Sequence, residues 1–296
     1  MWPPDRIQSA IFALTITSDC RSASGGGGIQ STPTRCMHMN ICRTPPREFM
    51  ILSHARTGST QLHEYLDQFP GTRCFGEVFR RELVKQPLWE ETSQYFTSRS
   101  EAAALHRESA LQFWLKLRDA VHIKHRRVGA KIFYYHREGE SIWDYILNAD
   151  IGIIHLTRRS LFASFVSLEL ANQTGIWSCN LPGRPHKPAA TACAHAPTIR
   201  FDAARYIKHR DYIVQQNMMI SARLASNPNV LNVEYNQISN TDYMSNILSG
   251  FLGVKADIRQ TLLKQSPQGP LAHVINKQDA MPFADDMFPA VASSNV

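Results

Sequence analysis

The chain has 296 residues, 43% of them hydrophobic and 19% charged, which excludes a wholly disordered polymer and permits one large α/β domain or two small ones. Its 32 Lys and Arg outnumber 25 Asp and Glu, and a net charge of +7 concentrates anions such as nucleic acid or a polyphosphate ligand. Six cysteines occur with no CxxC pair and no repeated ligand spacing, so neither a zinc site nor a disulfide framework is expected, and a reducing compartment follows.

Residues 1–47 read as a flexible tail or linker, with Gly25–Gly28 and Pro45-Pro46 punctuating them. The apolar run from Ile11 to Ile16 is too short to cross a membrane, and Asp5 weakens the positive flank a signal peptide needs. A cytoplasmic protein without an integral membrane segment is expected, with an organelle-targeting role for the tail left open. Phe49–Ser53 then predicts a strand, and Ser59–Gln68 a helix stopped by Pro70-Gly71. A loop carrying Gly76-Glu77 follows, and a loosely patterned helical stretch over 80–120 is clearest from Ala102 to Leu117. Val128–Phe133 and Ile151–Leu156 predict two more strands, separated by a short helix over Ser141–Leu147.

A helix over Ser160–Ala171 leads into a Pro-, Ala- and Cys-rich excursion at 178–198. A long helix over Phe201–Leu224, a strand over Val230–Tyr235 and a helix over Thr241–Leu252 ending at Gly253 complete the pattern, with a loose end from 281 to 296. Strands alternating with helices predict an α/β fold of three layers, a mostly parallel central sheet flanked by helices.

Two clusters carry the chemistry. In the first, Arg56-Thr57-Gly58-Ser59-Thr60 falls between the first strand and the first helix, where backbone N–H groups, hydroxyls and one cation form a phosphate cradle. A purely structural reading has Ser59 capping the helix and Arg56 as a surface charge. The loop lacks the G-x-x-x-x-G-K-[ST] pattern of a P-loop kinase or nucleotidase. In the second, Arg158 and Arg159 follow a strand, and Ser167 lies eight residues after Arg159 on the next helix. Lys124-His125-Arg126-Arg127 is a short basic run without the aromatic interleaving of a nucleic-acid face, so no nucleic-acid partner is expected.

These two clusters together resemble the sulfotransferases that use 3′-phosphoadenosine 5′-phosphosulfate (PAPS), most closely the bacterial carbohydrate type acting on nodulation factors and trehalose. The resemblance covers about residues 48–280, taken as one sulfotransferase domain of P-loop-like fold, and is weakest over 80–125 and 176–200. It implies that Arg56, Thr57, Gly58, Ser59 and Thr60 grip the 5′-phosphosulfate. It also implies that Arg159 and Ser167 hold the 3′-phosphate, and that Lys264 belongs to a late basic segment closing over the nucleotide. The product would be adenosine 3′,5′-bisphosphate, with no metal required. Arg56 would stabilise the departing 5′-phosphate, and Glu77 would be the general base that activates a hydroxyl on a carbohydrate or glycolipid acceptor.

His54, directly before the loop, is the rival base; His125 and His136 are further options without motif support. Lys131, on an apolar strand, could contact sulfate or acceptor. Trp89, Trp114, Trp143 and Trp177 could offer faces to a sugar. A non-sugar alcohol as acceptor, or an inactive nucleotide-binding scaffold, stands as the alternative, and a homodimer is implied by the resemblance alone.

Overall fold

A computed structural model describes residues 44–180, 198–263 and 269–288. In chain order the elements are β1 (Glu48–Ser53), α1 (Ser59–Leu66), β2 (Thr72–Phe75), α2 (Leu88–Ser93), α3 (Arg99–Glu108), α4 (Ala110–His122), β3 (Arg127–Phe133) and α5 (Ser141–Asn148). They continue with β4 (Gly152–Thr157), α6 (Leu161–Thr174), β5 (Cys179–Asn180), α7 (Ala203–Leu224), β6 (Val230–Glu234), α8 (Thr241–Leu252), β7 (Leu262–Leu263) and α9 (Lys277–Ala280).

Five strands form one sheet in the order β2-β3-β1-β4-β6, and every pairing in it is parallel. The expected three-layer α/β architecture is therefore present. β1 lies in the middle and is buried along its whole length. Its alternate side chains serve opposite layers, as the two-residue period of a strand demands. Met50 and Leu52 pack with Phe113 and Trp114 of α4 and Ile142 and Ile146 of α5. Phe49 and Ile51 pack with Leu62 and Leu66 of α1 and Leu248 and Leu252 of α8. Each such buried side chain contributes about 1.5–3 kcal/mol over its exposed state.

The register puts Phe49 opposite Gly129 on β3 and Gly152 on β4. Both neighbours lack a side chain where they flank the ring, which meets Phe251 of α8 edge-on at 6.3 Å between centroids. At the start of β1, the buried Glu48 carboxylate accepts from Trp114 Nε1 at 2.6 Å, Arg118 Nη1 at 3.1 Å and Tyr145 Oη at 2.8 Å. A charge taken out of water is tolerable when donors occupy its lone pairs in this way.

Several elements differ from the sequence expectation. β2 occupies Thr72–Phe75, where a loop was expected; at four residues it is too short to show a period. The helix expected over Ala102–Leu117 breaks at Ser109, whose extended backbone (φ −154°) ends α3 and whose hydroxyl accepts from Gln112 N to cap α4. Of the excursion expected at 178–198, residues 181–197 lie outside the described residues, and β5 pairs antiparallel with β7.

Within the loose end expected over 281–296, individual side chains are anchored, and 289–296 lie outside the described residues. Phe288 is buried against Leu161 and Ile213, and Asp286 accepts from Tyr206 Oη at 2.8 Å. Upstream of β1, Pro46 already lies against Gly152 and Pro45 against Gly253. No helix among the described residues is long and apolar enough to cross a membrane.

Because a Cβ on Gly129 would fall 2.1 Å from the Phe49 ring, Gly129→Ala is expected to lower stability by about 1–3 kcal/mol in urea denaturation. Gly250, inside α8 with nothing within 4 Å of its Cβ position, is the control. Gly250→Ala should raise stability by about 0.5–1 kcal/mol.

Candidate active site

All five strands of the parallel sheet end at the same edge, so the segments after Ser53, Phe75, Phe133, Thr157 and Glu234 converge there. That edge is where open α/β sheets hold ligands. A cavity of about 1080 Å³ opens on it, lined by residues from each of these five segments. Within the turn after β1, Arg56 (φ 66°) and Gly58 (φ 82°) both adopt the left-handed conformation. Such a turn aims successive N–H groups into one concavity. The first N–H groups of α1 add to it, since Gly58 at the N-cap supplies no side-chain acceptor. Gly58 is required on two counts, its φ and a Cβ position 2.8 Å from Ile238 Cδ1. Arg56 has no such licence, and its backbone costs roughly 1–2 kcal/mol.

The Arg56 side chain is held from α6 and from beyond it. Its Nε donates to Ser167 Oγ at 3.0 Å, and its Nη1 donates to the carbonyl of Trp177. A second cation backs the turn. Arg158 Nη1 donates to the Arg56 carbonyl at 2.7 Å, and its guanidinium lies 4.1 Å from the centre of the Tyr235 ring. Arg158 Nε is buried with no hydrogen-bond partner among the described residues. Burial, and then the neighbouring Arg158, bring the Arg56 pKa down to about 10. Two crowded, partly dehydrated guanidinium groups leave a local excess of positive charge, which an anion relieves. Arg159 is exposed at the same rim; its Nε donates to Phe288 O at 3.4 Å, and its carbonyl accepts from Phe288 N at 2.8 Å.

Across the cavity, Glu77 follows β2. Lys131 of β3, only 4% exposed, places Nζ 3.2 Å from Glu77 Oε1 and 3.3 Å from Thr60 Oγ1 on α1. Lys131 Nζ thus ties the carboxylate to α1, the helix that follows the β1 turn. His136 Nε2 and Arg80 Nη1 lie 3.9 and 3.8 Å from Glu77 Oε2. Phe133 N donates to His136 Nδ1 at 3.3 Å, which leaves the ring proton on Nε2, facing Glu77. Burial works to raise the Glu77 pKa, but Lys131, His136 and Arg80 outweigh it and hold the carboxyl below its ordinary range. Burial keeps His136 neutral, its pKa lowered to about 4 despite Glu77. The site therefore pairs an ionised carboxylate with a buried ammonium at neutral pH.

Of the residues singled out from the sequence, Arg56, Gly58, Ser59, Thr60, Glu77, Arg159 and Ser167 line this cavity. Thr57 does not: it is buried, and its hydroxyl donates to His54 O at 2.8 Å, closing the turn from inside. His54 is not among the lining residues either. It is buried edge-on against Tyr134 and Tyr212. Burial, His209 and His155 lower its pKa to about 3, which makes it a poor rival base. His125 precedes β3 at the opposite edge of the sheet. Trp89, Trp114 and Trp143 are buried, whereas Trp177 is 51% exposed and lines the cavity. Lys264 lies outside the described residues.

Sequence reasoning paired Ser167 with Arg159, but the hydroxyl meets Arg56, which is 111 residues distant in the chain. Arg80 and Tyr235 join the charged groups only in the fold, beside Glu77 and Arg158 respectively. The adjacent Arg pair was visible, but which member turns inward depends on β6, which brings Tyr235 beneath Arg158.

No family model matches the chain, and no curated protein matches it. Among solved structures it is similar to the crystal structure of a sulfotransferase from Alicyclobacillus acidocaldarius, at 15% sequence identity and a TM-score of 0.44, over 82% of this chain and 93% of that one. A likeness of that degree says nothing about this chain's activity or its site residues.

Burial holds His106, His136, His155 and His209 at pKa values of about 4, and His54 at about 3, against 6.5 for a free histidine. Below pH 6.5 the unfolded chain therefore binds more protons than the folded one, so stability falls as pH drops. The expected melting temperature declines steadily from neutral pH towards about pH 5. A flat profile by scanning calorimetry would show that these rings are not held neutral in the fold.

Proposed function

We propose that this protein transfers the sulfuryl group of PAPS to a hydroxyl of a carbohydrate acceptor. The observation that carries this reading is the convergence, in one cavity, of an anion cradle with two arginines behind it and an ionised carboxylate bridged to that cradle by Lys131. The motif resemblance supports the donor, and the cavity is large enough for a nucleotide and an acceptor together. The residues fit a donor with phosphates at both ends. Left-handed Arg56 and Gly58 would shape one anion site, and Arg158 Nε, buried without a partner among the described residues, would be a spare donor beside it.

When bound, PAPS supplies a sulfuryl group already joined to a good leaving group, a phosphate. The chain contributes positioning and charge stabilisation, which dominate catalysis in the related phosphoryl transfers. Arg56 and the amides at the start of α1 would hold the 5′-phosphosulfate and stabilise charge on its phosphate. Ser167 accepts from Arg56 and so keeps its own proton, which it would donate to the 3′-phosphate, with Arg159 as the proposed cation for that phosphate. Glu77 would serve as the base that takes the proton of the acceptor hydroxyl. Lys131 keeps Glu77 ionised and brings positive charge to the point where the loop and the acceptor meet. Trp177, exposed beside Arg56, offers an apolar face to a sugar ring.

Calorimetric titration is expected to show binding of adenosine 3′,5′-bisphosphate and none of ATP–Mg²⁺; the reverse result returns the chain to a kinase-like reading. Arg159→Ala should weaken the bisphosphate far more than adenosine 5′-monophosphate, and equal losses would remove Arg159 from the 3′-phosphate. Glu77→Gln should cut kcat by about 10²–10⁴-fold with nucleotide affinity unchanged. Full turnover in that variant, with chemistry rate-limiting, would end the role of Glu77 as base.

A further inference from the structure

Glu77 sits in a segment that belongs to no helix or strand, yet four consecutive carbonyls there are all engaged. Gly76 O accepts from Val78 N at 2.9 Å and Lys131 N at 3.2 Å, and Glu77 O accepts from Arg80 N at 3.1 Å. The next two are held by side chains from elsewhere in the fold. Val78 O accepts from His106 Nε2 of α3 at 3.0 Å, and Phe79 O accepts from Arg137 Nε at 3.0 Å. The two side chains are themselves joined. With its proton on Nε2, His106 offers Nδ1 to Arg137 Nη2 at 3.1 Å, and the same Nη2 donates to the His106 carbonyl. Arg137 Nη1 reaches Glu140 Oε1 at 3.4 Å. His106 is completely buried and Arg137 is 4% exposed.

An arginine so deeply buried is costly, and this one also carries a left-handed backbone, φ 54°, outside glycine's licence. That backbone immediately follows His136, whose ring approaches Glu77 from the other side. Trp143 Nε1 holds the His136 carbonyl at 2.8 Å. One residue therefore fixes both the segment bearing Glu77 and the turn bearing its imidazole neighbour.

We infer that Arg137, acting with His106, is a positioning residue that holds the Glu77 carboxylate in register with Lys131 and the phosphate loop. The inference rests on the reading of Glu77 as base for its catalytic consequence, but not for its geometry. The groups facing Glu77 are Lys131 from β3, His136 and Tyr135 from the turn after β3, Arg80 from its own segment and Arg56 from the phosphate loop. Loosening the clamp increases the distance to Lys131, which is the largest of the influences that keep the carboxyl ionised.

The test uses the full chain and two variants, Arg137→Lys, which keeps the charge and loses the fork, and His106→Leu, which cuts the Val78 contact. Carbon-13 carboxyl NMR, with Glu77 assigned through Glu77→Gln, reads the titration of Glu77. Steady-state kinetics with PAPS and calorimetry with adenosine 3′,5′-bisphosphate read turnover and nucleotide affinity. The expected result is a Glu77 titration moved up towards the ordinary glutamate range, kcat down by about 10- to 100-fold, and unchanged nucleotide affinity. His106→Gln, whose amide can still donate to Val78 O, should recover most of the loss. A folded variant with an unmoved Glu77 titration overturns the positioning role, whatever the kinetics. A moved titration with undiminished turnover upholds the positioning role and removes Glu77 as base. Should Arg137→Lys fail to fold, the comparison of His106→Leu with His106→Gln decides by the same rule.

Discussion

Close packing around Phe49 is the constraint on which the rest of the structure depends. The ring can lie across the middle of the sheet only because both strand neighbours are glycine at that level, and because α8 closes over it with Phe251. With Phe49 seated, the two-residue period sends Met50 and Leu52 to one helical layer and Ile51 to the other. A slip of one residue would turn every one of these side chains to the wrong face. The same register delivers Ser53 to the ligand edge and starts the turn that carries Arg56 and Gly58. Gly58 then packs on Tyr235 and Ile238 beyond β6, so the turn after β1 is braced by the segment that follows the edge strand.

The site built on this frame concentrates charge in a place with little water. Arg56, Arg158 and Glu77 line one cavity, with the buried Lys131 behind Glu77, its Nζ 3.2 Å from the carboxylate. Burial depresses the arginine pKa values, and Lys131 and its neighbours hold Glu77 ionised against its own burial. Such an arrangement costs stability in the free protein and favours an anionic ligand, a usual compromise at functional sites. Among the described residues, the left-handed non-glycine residues are Arg56 and Arg137, and both line this cavity. Strain of that kind persists only where surrounding contacts over-determine it. Both arginines have such contacts, through Ser167 and Trp177 in one case and His106 and Phe79 in the other.

The end of the described chain contributes as well. Asp286 is tied to Tyr206 and Arg210 of α7, and Leu161 N donates to its carbonyl at 3.2 Å. Phe288 then brackets Arg159 through its N–H and its carbonyl. The rim of the cavity at Arg159 is thus completed by residues far downstream in the chain, and Met287 lines it directly.

What the sequence determined by itself was whatever is written in local periodicity and local caps. The apolar runs of β1, β3, β4 and β6 placed the strands, Gly253 ended α8, and Arg56 to Thr60 after a strand marked the cradle. Only the tertiary structure decided what depends on partners distant in the chain. It turned Ser167 to Arg56, engaged the Thr57 hydroxyl inside its own turn, and buried His54 away from the cavity. It also broke the 102–117 helix at Ser109, added a four-residue edge strand at β2, and seated Phe288 against α6 and α7. Short elements carry too few residues to show a period, and a polar side chain's partner is chosen by the packing of whole layers. For that reason Glu77 and Lys131 could be named from the sequence, while the bond between them, and the His106–Arg137 clamp behind it, exist only in the folded chain.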